Sequence, residues 1–354
     1  MVKGIWAGLD VGTRTTSVCV INDAGEVLHE AVCPTGVKSV HRELAFMKRR
    51  RSGGVFMEAC TGMHLGRGLR SLGYNVTLYE ARQLSKFLRV RRNKTDAGDA
   101  SGIAEAGRLG ASIVSKVHLK SLDAQALQAR LTIRRHLLYD RVAAVNLLAR
   151  QLDHFGGQLH SGRRSGKLRG CVDAEIRKVF GKMPTPLTQQ LYFLVDYCER
   201  LFDYEKAVRC ELKRLAEENE VCRRFMEIPG VGPLCALTFY AIVDDPHRFR
   251  RSADIGPYFG LTPKVRQSGI TCRVGRITRM GNRAVRTLLV RASTGFMRCS
   301  PANSQLRLWA AGVELRSGRG PSRIALARKL ATIMVAMWKN DAHFELKLCS
   351  AASD

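Results

Sequence analysis

Negative charge is what this sequence has least of. Its 354 residues carry 31 Asp and Glu against 58 Lys and Arg, a formal net charge of +27. A field of that sign repels cationic ligands and attracts polyanions over long range, so nucleic acid is the expected partner. Long apolar runs are lacking too: Cys235 to Val243 and Leu330 to Trp338 are among the longest, well short of the ~20 residues that cross a bilayer. No membrane partner is expected. The opening "MVKGIWAGLDVG" has no apolar stretch with a small-residue cleavage site, the mark of a secretory leader. The expected compartment is the cytoplasm.

Paired cysteines are missing as well. The 11 cysteines are scattered with no C-x-x-C among them, and the nine histidines show neither H-x-x-x-H nor H-E-x-x-H. Zinc ribbons, thioredoxin-type motifs and histidine metal sites are unsupported, and the thiols read as reduced and mostly buried. The rest is ordinary for a globular protein, with 45% hydrophobic and 25% charged residues. A chain of this length accommodates two domains and a helical connector.

Gly4 to Val11, Thr16 to Asn22 and Glu26 to Cys33 are short apolar or alternating runs separated by turn residues, the pattern of a three-stranded meander. A helical run near Val40 to Arg50, a strand Gly54 to Ala59, a helix near Leu65 to Leu72, a strand Asn75 to Glu80 and further helix follow. This is the order of the ribonuclease-H-like α/β fold, similar to that of RuvC-type nucleases. Ser121 to Phe155 has helical spacing without Pro or Gly and predicts one long helix or two abutting ones. Gly156 to Pro186, with "GGQLHSGRRSGKLRG", predicts a flexible basic linker. Leu187, Leu191, Leu194, Cys198, Leu201, Glu205, Val208, Leu212 and Leu215 then form a heptad seam broken only by Glu205. That seam fits either a coiled coil or an amphipathic helix packed within its own chain. The expected division is 1–155, an α/β domain; 156–220, basic linker and coiled-coil helix; and 221–354, a mainly α-helical domain. Residues 255 to 354 hold 17 Lys and Arg against Glu314, Asp341, Glu345 and Asp354, so this last region faces polyanion most strongly.

Four carboxylates stand out against this background. Asp10 ends the first strand in "GLDVG", Glu58 ends the strand "VFMEA", and Asp96 and Asp99 lie three residues apart in "NKTDAGDA". Asp10 also reads as a turn residue, and Asp96 and Asp99 as helix-surface charge. Yet two like charges on one helix face repel unless a cation lies between them. Acids drawn from a first strand, a middle strand and a late helix suit metal-assisted phosphodiester chemistry, because Mg²⁺ takes hard oxygen ligands. Arg89, Arg91, Arg92 and Lys94 directly precede the acid pair and can hold phosphate beside the ion.

Two further patterns lie in the last region. "IPGVGP" places Gly230 and Gly232 between two apolar helical runs, which fits a helix-hairpin-helix that holds DNA backbone on its amides, or a plain αα-turn. Ser268, between Gln267 and Gly269, sits among Lys264, Arg266, Arg273, Arg276 and Arg279, with Arg283 just beyond. Ser-Gly is commonly a turn. The alternative is a nucleophile whose attack on phosphate the arginines assist.

Taken in order, "GLDVG", "MEACTG", "NKTDAGDA", "IPGVGP", "FGLTP" and "QSG" followed by "RMGNRAVRTLLVRAS" resemble the DEDD transposases of the insertion-sequence one-ten class, with its one-one-one-one subgroup and the related DNA invertases. The resemblance runs nearly end to end. It implies a RuvC-like domain whose tetrad is Asp10, Glu58, Asp96 and Asp99 with Mg²⁺, and a transposase domain whose catalytic serine is Ser268. It further implies a recombinase acting on double-stranded DNA through a phosphoserine link, guided by a structured bridge RNA, working as a dimer to tetramer, and associated with a prokaryotic nucleoid. Two other functions fit the residues: a RuvC-type nuclease with no covalent step, and a nucleic-acid-binding protein without activity.

Overall fold

Alternating burial decides how the first strand faces: Ile5, Ala7, Leu9 and Val11 are buried on one side of β1 (Ile5–Val11), leaving Gly8 and Asp10 to the other. The computed structural model describes residues 4–49, 52–59, 62–89, 95–110, 113–159, 167–179, 185–268 and 271–348. Arg91, Arg92 and Lys94 lie outside them. The chain divides into two compact units, Met1–Ser121 and Leu122–Asp354.

In the first unit β2 (Thr15–Asn22) and β3 (Val27–Pro34) complete the antiparallel meander. They are followed by α1 (Val37–Leu44), β4 (Ser52–Glu58), α2 (Met63–Ser71), β5 (Val76–Tyr79), α3 (Ala81–Leu88), α4 (Asp96–Leu109) and the edge strand β6 (Lys116–Val117). The sheet order is β3-β2-β1-β4-β5-β6, with β1, β4 and β5 mutually parallel. This is a mixed α/β domain whose elements follow along the chain in the succession expected from the sequence, with the short strand β6 added at one edge. Val40 and Leu44 of α1 and Leu65 and Leu69 of α2 pack on one face against Ala7, Leu9, Val55 and Met57. α4 covers the other face through Ala100, Ile103, Ala104 and Ala106. Its packing side is built of small residues, so the helix closes on the sheet by backbone approach more than by interlocking side chains.

The second unit opens with α5 (Leu122–Asp153), a single helix of 32 residues, which the sequence reading placed in the first domain. The expected basic linker contains a helix, α6 (Leu168–Lys178), whose Leu168, Val172 and Ile176 are buried beside Leu148 and Leu152. That segment is therefore not a loop throughout: an apolar residue every fourth position gives it a packing face despite its Gly and Arg flanks. α7 (Thr185–Glu218) buries its heptad seam within the chain, against α5 and its neighbours. Arg130 to Glu211 and Arg134 to Glu205, each 3.2 Å, fix the two helices antiparallel. Of the two readings of the seam, packing within the chain is the one observed.

α8 (Glu220–Met226), α9 (Pro233–Val243), α10 (Ile255–Tyr258), the hairpin β7 (Pro263–Ser268) and β8 (Thr271–Ile277), α11 (Arg283–Cys299), α12 (Gln305–Ser317) and α13 (Arg319–Lys339) complete the unit. α9 is buried nearly all round, and Phe225, Phe239, Phe259, Phe296, Leu330 and Met334 belong to the core about it. Among the described residues no helix is long and apolar enough to cross a membrane.

Candidate functional site

Two of the four acids in question, Asp10 and Glu58, come to one end of the first unit by strand register, and the other two, Asp96 and Asp99, lie toward that end through the direction of α4. β1 and β4 run parallel with Gly8 opposite Phe56 and Leu9 opposite Met57. Asp10 and Glu58 are the next residues on each strand, so they lie side by side at its C-terminal end, on the face that α4 covers. α4 approaches that face closely: a Cβ on Gly8 would stand 2.1 Å from the Ala100 carbonyl oxygen, and one on Gly107 would stand 2.3 Å from the Phe56 ring. The helix runs opposite to β1, because Arg108 near its end donates to the Asp23 carbonyl at 3.1 Å, beside the start of β1, where Ile5 pairs with Asn22. Its first turn therefore lies toward the Asp10 end. Asp96 shares a stripe with Ala100 and Ala104, and Asp99 shares one with Ile103 and Gly107. Thr95 caps the helix by accepting from the Gly98 amide at 3.0 Å.

Asp10, Glu58 and Asp99 are half-buried and Asp96 is exposed. Acids in the first turn also complement the helix dipole, so Asp96 and Asp99 have a structural reason to be there. Among the described residues no group of three or more His, Cys, Asp or Glu is gathered closely enough to hold a metal ion. The donor set is all carboxylate oxygen, which is the chemistry of a hard divalent ion. Glu80, the next acid along, is committed elsewhere: its carboxylate accepts from the Gln83 amide at 2.8 Å and caps α3. Arg89 is exposed at the end of α3.

In the second unit Ser268 is the last residue of β7, exposed, and in register with Thr271. Arg266 stands directly opposite Arg273 on the same face of the hairpin, two residues back from Ser268 and two beyond Thr271. Lys264 and Arg276 are exposed on the same two strands, and Arg279 follows them in the left-handed region at φ 56. The stem is clamped by two glycines. A Cβ on Gly260 would lie 2.1 Å from the Met280 carbonyl oxygen, and one on Gly281 would lie 2.1 Å from that of Tyr258. "FGLTP" and "RMGN" are thus the two sides of one backbone crossing. Arg286 ties them by donating to the carbonyls of Phe259 at 3.0 Å and Met280 at 3.3 Å. Burial, and then Arg279 and Arg283, hold its guanidinium below the usual arginine range. The sequence reading quoted this stretch without singling out Arg286, which lies in the first turn of α11 just after "RMGN".

Gly230, at φ 86, joins α8 to α9, and a Cβ there would meet the Ala292 carbonyl oxygen at 2.5 Å. Its lack of a side chain is explained by contact with α11. Gly232 is exposed and caps α9, whose first residue is Pro233. Arg283 is exposed at the first position of α11, behind Asn282, which accepts from the amides of Ala284 and Val285.

A mixed α/β domain with carboxylates toward one end of its sheet, in a chain of net charge +27, fits the class of enzymes that act on a polyanion such as DNA. Comparison with known proteins makes this particular. Residues 7–156 match a DEDD transposase profile, and residues 222–307 match the profile "Transposase IS116/IS110/IS902 family". The chain is 30% identical over 336 residues, 93% of its length, to the transposase for insertion sequence element IS1111A of Coxiella burnetii, and the match covers 88% of that protein. It is 30% identical over 284 residues, 79% of its length and 81% of the relative's, to the transposase for insertion sequence element IS1328 of Yersinia enterocolitica. The chain belongs to the IS116/IS110/IS902 family of transposases, and its activity is DNA transposition.

Proposed function

We propose that the chain cuts and rejoins the ends of its element and the target DNA through a phosphoserine formed on Ser268. The Ser268 oxygen attacks a backbone phosphorus, an O–P bond forms, and the bond to the departing nucleotide oxygen breaks. The serine proton is lost and the departing oxygen takes one up. A free hydroxyl of the new partner strand reverses these steps and releases the serine. Arg266 and Arg273 face the phosphate and offset the charge that builds on it. Asp10, Glu58, Asp96 and Asp99 would hold a divalent cation, Mg²⁺ by the hardness of the oxygen donors, which supplies charge neutralisation at the reacting phosphate. The observation that supports the cation part of this reading is that Asp10 and Glu58 lie side by side by strand register, with the first turn of α4 toward the same end of the sheet.

The reading extends to partners. Arg89, Arg91, Arg92 and Lys94 serve the phosphates beside the carboxylates, and Gly230 and Gly232 form a helix-hairpin-helix contact to the duplex. A structured bridge RNA selects the sites. The working form is a homo-oligomer of two to four chains, acting at the nucleoid in the cytoplasm. The segments 1–155, 156–220 and 221–354 divide these tasks into cation binding, connection and strand joining.

Incubation with element-end DNA followed by a denaturing gel tests the chemistry. A covalent adduct is expected with the native chain, none with Ser268→Ala, and none with Asp99→Asn, while both variants still retain DNA in a native gel. Strand cleavage that survives Ser268→Ala would assign water as the nucleophile and overturn the phosphoserine step.

A further inference from the structure

One groove in the second unit takes no part in the chemistry above. A cavity of about 590 Å³ lies between α5, α9 and the first turns of α11. Leu131, Leu234 and Leu288 contribute to its apolar lining. Arg135 and Tyr139, one turn apart, line it from α5, while Arg283 and Arg291, two turns apart, line it from α11. Among the described residues no carboxylate lines it.

Charge and shape together select the occupant. Arg134, also in the lining, is committed to Glu205 at 3.2 Å. Among the described residues Arg135, Arg283 and Arg291 have no carboxylate partner. Cations that line one groove repel one another until an anion enters. Tyr139 is 65% exposed, a large ring left in water at the groove. A duplex presents phosphates outward and keeps its bases stacked inside, so it leaves an apolar lining unfilled. An unpaired strand offers both components: base faces for leucine and tyrosine, phosphates for arginine. An amphipathic protein helix would fill the leucines and would need acids of its own for the arginines.

We infer that this groove binds an unpaired stretch of nucleic acid, with its bases against Tyr139 and the leucines and its phosphates on Arg135, Arg283 and Arg291. The inference rests on the nucleic-acid part of the function proposed above and on neither the serine nor the carboxylates.

The test uses the full chain carrying Ser268→Ala in buffer without divalent metal, so that only binding is read. Fluorescence anisotropy with a labelled oligothymidine and with a labelled duplex of equal length gives the two affinities. Tyr139→Ala should weaken the strand about tenfold and leave the duplex nearly unchanged, the loss expected for one stacked base. Tyr139→Trp should retain strand affinity, which separates loss of a ring from misfolding. Replacing Arg135 and Arg291 together by Gln should lower the log–log salt slope for the strand by about 1.4, or ~0.7 per phosphate. A bromouracil-substituted strand should photocrosslink to the peptide that holds Tyr139. Equal losses on strand and duplex would reassign the groove to duplex backbone, and no loss on either would reassign it to a protein partner; both overturn the inference. Failure of the native chain to bind any nucleic acid would instead remove the nucleic-acid reading itself, and a missing covalent adduct leaves this test untouched.

Discussion

Gly8 shows how one absent side chain sets the spacing of the acidic edge. Its place would be taken by the Ala100 carbonyl and the Ala104 amide, so any Cβ must push α4 away from β1. Gly8→Ala is expected to cost about 1–3 kcal/mol, the usual range for overpacking, and to reduce transposition further than stability alone accounts for, because Asp96 and Asp99 move with the helix. Thermal unfolding beside an in vitro transposition assay checks both. Gly170, exposed within α6 with open space around its Cα, is the control. Gly170→Ala should stabilise by up to about 1 kcal/mol, since a helix interior favours Ala over Gly. "GLDVG" made Asp10 legible as a candidate ligand. That Gly8 mattered for the approach of α4 was not legible, because nothing in a strand of seven residues says which helix will cross it.

Among the elements, α7 carries the clearest case of a pattern with two outcomes. Its seam of Leu, Cys and Val every three and four residues is satisfied equally by a second chain or by α5. Glu205, in the middle of that seam and 5% exposed, decides the matter by its partner, Arg134. Arg134→Ala should destabilise the second unit by about 3–5 kcal/mol, because it strands a buried carboxylate. Arg134→Met combined with Glu205→Leu should recover most of that loss, since an apolar pair of similar volume is often neutral. Urea unfolding of the three proteins gives the cycle, and a double variant as unstable as the single one would sink the account. The β7–β8 hairpin escaped the sequence reading for the opposite reason. Its strands are exposed on both faces, so they lack the apolar alternation by which strands are recognised. α6 was hidden by Gly and Arg around an apolar repeat of only three residues.

For the whole molecule the surplus of positive charge sets the terms of binding. If 6–10 phosphates are neutralised, affinity for DNA should fall by roughly 10³–10⁵ between 50 and 200 mM salt. Anisotropy titrations across that range measure the slope, and an affinity that barely changes would mean that the +27 charge is not spent on phosphate. The acidic edge remains the exception in this field, four carboxylates in a chain otherwise short of them.

The sequence by itself determined the succession of strands and helices in the first unit, the candidate acids and serine, and the sign of the partner. Those follow from periodicities of two and 3.6 residues, from residue chemistry and from a count of charges, all of which are local or additive. Only the tertiary structure decided that Asp10 and Glu58 stand side by side facing the first turn of α4, that the heptad seam closes on α5, and that Gly260 and Gly281 pin the stem of the serine hairpin. Each of these depends on backbone approach or pairing between segments far apart in the chain, where a missing Cβ or a buried ion pair is selected by its neighbour in space and leaves no periodic trace in sequence.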